Sequence, residues 1–531
     1  MFKKYENMRE MTEDISVKYA DNTAFKLKLE DGYRCVTYRD FRDDIEALAK
    51  VLVNGGYHKR KVAVIGENSY NWMVVYFAVL SCGGVIVPLD RGLLDHELDD
   101  QLERSGAELV FCSETFIEHL SSKSSIKAVC MTSQEYDDIL AEGRKLNISA
   151  YNSITIDNQK MSILLFTSGT TSKSKAVMLS QNNILSNVYG LCRWEKFTQD
   201  DISMALLPFH HAFGMVQTIL FLSQGMCSVF CEGLRVAKCL NEYGVTVFVA
   251  VPLVVEEIKN QIIRQLKKQN KLSLINKMIK VSSVLSKLHI DVRRKIFAPI
   301  LEKLGGGLRF IIVGAAPANP DTLEWLNNIG ILTVQGYGLS ETSPVVSAEN
   351  DEFMRQGSVG KPMVDVEVKI INPDENGMGE IAVRGENVML GYYGDEEATA
   401  EVIKDGYFHT GDLGRLDKDG FLFITGRKKN VIVLTTGKNV FPEEIEFLID
   451  KCEACKESVV FNRQKAGRDT ITARIVYDTN LSLEEATKVI EEHIAKINEQ
   501  LIYYKQIKEW EITDQEMEKT TTKKIKRANI K

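Results

Sequence analysis

Up to residue 160, short β-branched runs alternate with amphipathic helical patterns, and this alternation restricts the fold more than any other feature of the chain. Residues 61–65, 109–112 and 128–131 read as buried strands, and residues 40–55 as a helix. Strands separated by helices imply βαβ units and a mostly parallel sheet. At 531 residues the chain exceeds one ordinary core, so two to four domains or subdomains are expected. From residue 357 the texture changes to short alternating strands and tight turns (366–371, 379–384, 421–425), a β-rich subdomain. Beyond the polar turn Gly426-Arg427-Lys428-Lys429-Asn430, the runs 431–434, 443–450, 458–461, 471–476, 483–496 and 509–512 outline a small α+β domain.

One run, 72–89, is uncharged for 18 residues. Cys82-Gly83-Gly84 and Pro88 interrupt it, so it reads as a buried helix (72–81), a turn and a buried strand (85–87) rather than a transmembrane span. Residues 1–20 are charged and amphipathic, with no apolar signal core. Ten cysteines are scattered without framework spacing. Cys452 and Cys455 form a lone CxxC at what reads as a helix end, and the second pair of a zinc site is missing. Reduced thiols in the cytoplasm are the expectation. The net charge of −7 gives no global attraction to nucleic acid, so any anion site must be local.

One local candidate is Leu164-Leu165-Phe166-Thr167-Ser168-Gly169-Thr170-Thr171-Ser172-Lys173-Ser174-Lys175. A short strand feeds a run of hydroxyls around one glycine, and a lysine closes it. Exposed N–H groups, hydroxyls and a point charge suit a phosphate, although the Walker A spacing is absent and a solvated loop reads equally well. Residues 308–313 end in Gly314-Ala315-Ala316-Pro317, small residues that let a flat ring approach the backbone. Another strand, 332–334, precedes Gln335-Gly336-Tyr337-Gly338-Leu339-Ser340-Glu341-Thr342, which offers a ring, a hydroxyl and a carboxylate for a base, a phosphate and Mg²⁺. The alternative is a turn with an ordinary exposed Glu. Asp412, after a glycine, is placed to meet ribose hydroxyls. His210-His211 stand in an apolar turn with no carboxylate at metal-ligand spacing, and read as packing residues. Residues 259–295 carry 11 Lys/Arg against one acid, Asp291, on a helix pair. Either this is a solvated basic face, or it meets an anionic membrane surface or ligand phosphates.

Five of these segments, in order, resemble the adenylate-forming superfamily of acyl-CoA synthetases, adenylation domains and luciferases: 167–177, 208–214, 337–342, 410–412 with Gly426-Arg427, and the terminal lysine loop 519–527. The likeness runs from about residue 15 to 527, and the wording of 335–346, 357–362, 387–393 and 426–446 is most similar to bacterial long-chain fatty acyl-CoA synthetases. The resemblance implies an α/β fold: a large N-terminal domain (1–427) of two α/β subdomains plus a β-rich subdomain, and a small mobile α+β C-terminal domain (428–531). It implies activation of a fatty acid, a long-chain one, by ATP to an acyl-adenylate, then transfer to CoA with AMP and pyrophosphate released.

Residue by residue, it assigns Thr167, Ser168, Thr170, Thr171 and Lys175 to the triphosphate, and Gly314, Ala315, Ala316 and Tyr337 to the adenine pocket. Ser340 falls to the α-phosphate, Glu341 to Mg²⁺, and Asp412 to the ribose. Arg427 reaches ribose and phosphates, Lys429 is the hinge, and His211 lies beside the acyl and pantetheine paths. Lys524 contacts carboxylate and α-phosphate in the adenylating state, with Lys523 as the alternative register, while Lys438 and Asn439 approach the pantetheine route. Ser172, Ser174 and Ala176 stand where the family usually carries glycine, proline and glycine, so negative φ is expected there. Two other readings keep the fold: transfer to a separate acyl or peptidyl carrier protein, and a non-catalytic acyl- or nucleotide-binding relative. A homodimer and contact with the inner face of the membrane accompany the long-chain resemblance.

Overall fold

The computed structural model describes residues 2–123, 126–167, 174–231, 235–287, 291–436, 438–465, 468–519, 525–527 and 530. Its uncharged run is core. Ser69 accepts the Trp72 backbone N–H and so starts helix Tyr70–Ser81, in which every residue but Asn71 is buried. Gly83, at φ +79°, turns the chain into strand Val85–Leu89, which lies parallel to Lys61–Ile65. A helix apolar on all sides has to be covered on all sides. Among the described residues, no helix is long and apolar enough to cross a membrane.

Two sheets supply that cover. One runs Gly391–Tyr392, Lys175–Ser180, Met161–Thr167, Val85–Leu89, Lys61–Ile65, Leu109–Cys112, Lys127–Cys130, parallel except at the first two pairings. The other runs Lys361–Pro362, Val345–Ala348, Leu332–Gly338, Phe310–Val313, Val247–Ala250, Ile202–Ala205, Cys227–Phe230, Thr23–Lys28, Tyr33–Thr37, with a parallel centre and antiparallel edges. One hydrophobic core joins both sheets to helices Tyr70–Ser81 and Ala212–Ser223. This is the mixed α/β, mostly parallel architecture that the alternation implies. The strand expected at 332–334 continues to Gly338, because antiparallel pairing with Val345–Ala348 extends it through Tyr337.

The basic stretch forms helices Pro252–Lys268 and Leu272–Lys287, then a short turn of helix, Arg293–Ile296. Along the second helix, Leu274 and Val281 are more than half exposed beside the exposed Lys277 and Lys280.

By packing, the chain divides into two compact units, one built on Met1–Thr167, Lys175–Glu367 and Val383–Phe408, the other on Val368–Ala382 and His409–Lys531. In the second unit, the hairpin Cys455–Lys465 and Arg468–Tyr477 takes Glu509–Thr513 as a parallel third strand. Helices Pro442–Ile449 and Leu483–Gln500 contribute Ile445, Ile449, Ile490, Ile494 and Ile497 to its core. The CxxC is not at a helix end: the helix stops at Ile449 and Cys455 opens the strand.

Glu446, nearly fully buried, accepts the Val460 backbone N–H at 2.6 Å and both terminal nitrogens of Arg527. Burial pushes the Glu446 carboxyl up, against the pull of that guanidinium. Removing one partner leaves a buried charge unpaired, which costs about 3–5 kcal/mol. Arg527→Ala is therefore expected to destabilise this unit by about 3 kcal/mol, with early loss of amide-exchange protection in strand Cys455–Lys465. Arg527→Lys, lacking the fork, should recover only part. Unchanged protection in Arg527→Ala would refute the assignment.

Candidate active site

Strands Met161–Thr167 and Lys175–Ser180 face each other antiparallel, with Thr167 opposite Lys175. Ser168, Thr170 and Thr171, between them, lie outside the described residues, as does Ser172. Ser174 and Ala176 do not adopt positive φ, and Ala176 sits in the strand opposite Phe166. No glycine is needed at either position.

The outer edge of Lys175–Ser180 takes the two-residue strand Gly391–Tyr392. Leu390 donates its backbone N–H to Met178 O and Tyr393 to Ala176 O, while Met389 donates to Glu341 O at 2.9 Å. The same segment thus holds the lysine-bearing strand and the acidic turn. The Tyr392 hydroxyl donates to Glu341 Oε1 at 3.0 Å, and Lys175 Nζ lies 4.4 Å from the centre of the Tyr392 ring. Lys175, Tyr392 and Glu341 form one cluster.

Ser340, Glu341 and Thr342 make a single 3₁₀ turn after strand Leu332–Gly338. The Thr342 hydroxyl closes it, accepting from Leu339 N–H and donating to Pro344 O. A Cβ at Gly338 would fall 1.8 Å from Pro344 O, so only glycine permits the chain to pass here. Gly314, Ala315 and Ala316 leave the strand next to this one, where Val313 is paired with Gln335. A side chain at Gly314 would meet the Phe213 ring at 2.8 Å, and Ala315 holds φ +70°, a left-handed conformation uncommon for a residue with Cβ. Tyr337, opposite Ser347, is half-buried alongside. These groups all stand at strand ends, where open α/β sheets bind ligands.

His211 precedes helix Ala212–Ser223. Its loop is clamped by Asn68, which donates to Leu207 O at 2.8 Å and accepts from Phe209 N–H at 3.0 Å. The absence of a nearby carboxylate in sequence is corrected by the fold. Asp90, following strand Val85–Leu89, brings its Oδ1 to 3.3 Å from His210 Nε2.

In the second unit, Asp412 and Arg427 are cross-strand partners with Arg427 Nε 2.6 Å from Asp412 Oδ1. Thr410 fixes the strand at Asp412: its hydroxyl donates to Ile381 O and accepts the Asp412 N–H. Asp412 is buried and Arg427 is partly exposed. Lys428 reaches Glu380 at 3.0 Å, and His409 reaches it at 3.5 Å. Burial pushes the Glu380 carboxyl up, but the Lys428 ammonium and the contact with His409 outweigh it and the net direction is down. Lys429 lies in the 3₁₀ turn Lys428–Asn430, and Lys438 is exposed before strand Asn439–Val440. Lys523 and Lys524 lie outside the described residues, between Lys519 and Ile525, which form a bridge.

Sequence reasoning missed Tyr392, Asn68 and Asp90. Tyr392 stood inside a segment, 387–393, whose wording was similar to the family's but carried no chemical role. Asn68 and Asp90 had no signal at all, because their partners are remote in sequence.

The profile of the AMP-binding enzyme family matches residues 13–393, and that of the AMP-binding enzyme C-terminal domain matches residues 429–531. The chain belongs to the AMP-binding enzymes. Fatty acyl-CoA synthetase B of Dictyostelium discoideum is 28% identical over 493 residues, spanning 84% of this chain and 73% of that protein. A long-chain-fatty-acid–CoA ligase of Salmonella typhimurium is 28% identical over 498 residues, spanning 84% of this chain and 81% of that protein. In fold, the chain is similar to the O-succinylbenzoate coenzyme A synthetase of Bacillus subtilis solved with ATP and magnesium ion. The TM-score is 0.76 at 23% identity, with 98% of each chain covered.

Gly338→Ala is expected to displace the Ser340–Thr342 turn, lowering stability by about 1–3 kcal/mol and weakening AMP binding measured by calorimetric titration. Unchanged affinity would separate the turn from the nucleotide site.

Proposed function

We propose that the chain is an ATP-dependent, AMP-forming fatty acyl-CoA synthetase that acts on long-chain acids. The observation that carries this reading is the Lys175–Tyr392–Glu341 cluster at the strand ends of an AMP-binding enzyme. A fatty carboxylate attacks the α-phosphorus of ATP, the bond to pyrophosphate breaks, and the thiol of CoA then displaces AMP from the acyl-adenylate.

Both reactants of the first half are anions, so the chain has to offset their repulsion. Thr167, Ser168, Thr170, Thr171 and Lys175 hold the triphosphate, and Ser340 donates to the α-phosphate. Gly314, Ala315, Ala316 and Tyr337 take the adenine. Asp412 bonds the ribose hydroxyls, kept in register by Arg427, which also reaches the phosphates. Lys524 contributes a second ammonium at the reacting oxygens. Glu341 offers a hard carboxylate oxygen that fits Mg²⁺, an ion that takes few protein ligands and completes its shell with phosphate oxygens and water. Held by Glu341, such an ion would offset phosphate charge. Tyr392 orients that carboxylate, and His211 borders the acyl and pantetheine paths.

The second half needs Lys524 withdrawn. Residues 1–427 and 428–531 act as separate domains, and the smaller swings about Lys429 to bring Lys438 and Asn439 toward the pantetheine arm.

The test is AMP and pyrophosphate release from ATP and Mg²⁺ with short-, medium- and long-chain carboxylates, each with and without CoA. Turnover is expected to need CoA and to peak with long chains, and Lys429→Pro should spare pyrophosphate release while losing CoA consumption. Silence with every acid would overturn the reading. Tyr392→Phe, which keeps the ring and removes only the hydroxyl, should cost about 1.5–3 kcal/mol of transition-state stabilisation, roughly 10- to 100-fold in kcat/KM. Its Mg²⁺ requirement should rise in parallel. Wild-type kinetics in that variant would remove Tyr392 from the machinery.

A further inference from the structure

The two sheets of the first unit bring together a group of side chains that the proposed reaction uses only in part. Asp90 leaves the carboxyl end of strand Val85–Leu89, and His210 and His211 follow strand Ile202–Ala205 of the other sheet. One ligand atom from each residue lies within 4.8 Å of the other two. The His210 side chain is 8% exposed and that of Asp90 16%.

His210 Nε2 stands 3.3 Å from Asp90 Oδ1, yet it is buried without a hydrogen-bond partner. An imidazole–carboxylate hydrogen bond would place the hydrogen on the line between the two atoms. The separation here suits such a bond and the alignment does not. A different geometry accounts for both facts. When nitrogen and oxygen lone pairs converge on one ion at about 2.0–2.2 Å from each, tetrahedral angles leave the donors roughly 3.3 Å apart. The His210 and His211 rings, 4.1 Å between centres and tilted by 57°, set a second imidazole alongside, with one of its ligand atoms within 4.8 Å of the other two.

The loop is built to hold these donors still. Asn68 bonds it on both sides of Pro208. A Cβ at Gly214 would fall 2.3 Å from Pro208 O, so the loop lies directly on the first turn of the helix that follows His211.

We propose that Asp90, His210 and His211 form a binding site for a borderline divalent transition metal of the Zn²⁺ class, with water completing the shell. Two imidazoles and one carboxylate select such an ion over Mg²⁺, which prefers oxygen ligands. Asp90 and His210 carry no role in the proposed reaction, so this site stands whether or not that reading does. His211 is shared, and metal occupancy engages the imidazole that otherwise borders the acyl path.

The test uses metal-free, full-length protein titrated with Co²⁺ and followed by visible d–d absorption, without substrates. Saturable absorption free of thiolate charge-transfer bands is expected, displaced by Zn²⁺. Asp90→Asn and His210→Gln should each bind Co²⁺ at least about 10-fold more weakly, with unchanged circular dichroism. His96→Ala, at an exposed histidine outside the cluster, should match the wild type. Should either cluster variant unfold, the other carries the comparison. No d–d absorption, thiolate bands from one of the ten cysteines, or equal binding in the folded variants would each overturn the site.

Discussion

Three backbone hydrogen bonds from one short segment hold the candidate site together. Leu390 and Tyr393 pair with the edge of strand Lys175–Ser180, in one sheet, and Met389 donates to Glu341, which follows strand Leu332–Gly338 of the other. Lys175 and Glu341 therefore share a neighbourhood because residues 389–393 are bonded to both elements. Asn183 strengthens the arrangement from below, its side-chain amide donating to Glu386 O and Val388 O. Backbone bonds suit this task, since their geometry survives most side-chain changes and the edge of strand Lys175–Ser180 would otherwise stand unpaired.

A second clasp of the same kind works elsewhere in the unit. Asn68 follows strand Lys61–Ile65 of one sheet and bonds the loop that follows Ile202–Ala205 of the other. One side-chain amide supplies a donor and an acceptor to two backbone groups of a single loop, which fixes both position and rotation. The helices Tyr70–Ser81 and Ala212–Ser223, buried at every residue but Asn71 and Phe213, pack in the core shared by both sheets. Their apolar surfaces fix the spacing of the sheets, and the polar clasps fix which loops meet at the strand ends.

This division explains what could be read from the chain alone. The strands Lys61–Ile65 and Leu109–Cys112 and the helix-turn-strand at 72–89 were legible because burial on every side leaves an uninterrupted apolar run. The hydroxyl-rich loop and Glu341 drew attention as chemistry because hydroxyls, a lysine and a carboxylate stand at short spacing; of these, Lys175 and Glu341 fall among the described residues, where both meet Tyr392. The extension of the 332–334 strand to Gly338 was not, since it depends on pairing with Val345–Ala348 rather than on β-branched residues. Tyr392 and Asp90 were invisible for a related reason. Each acts on a partner supplied by another element, and no local pattern encodes a contact made by topology.

On the readings proposed above, the same unit offers two kinds of cation ligand at different strand ends, and their chemistry would keep them apart. Glu341 is a lone carboxylate steadied by a phenol, a donor that holds a hard ion weakly until phosphate oxygens join it. The Asp90–His210–His211 group needs no substrate to complete most of its shell, and its imidazoles are poor ligands for Mg²⁺. On the proposed reading, a hard ion delivered with the nucleotide would go to the first site and leave the second alone. A borderline ion would prefer the second, where it would engage His211 rather than the phosphates. Ligand hardness alone would then sort the two ions, without either having to be excluded by size.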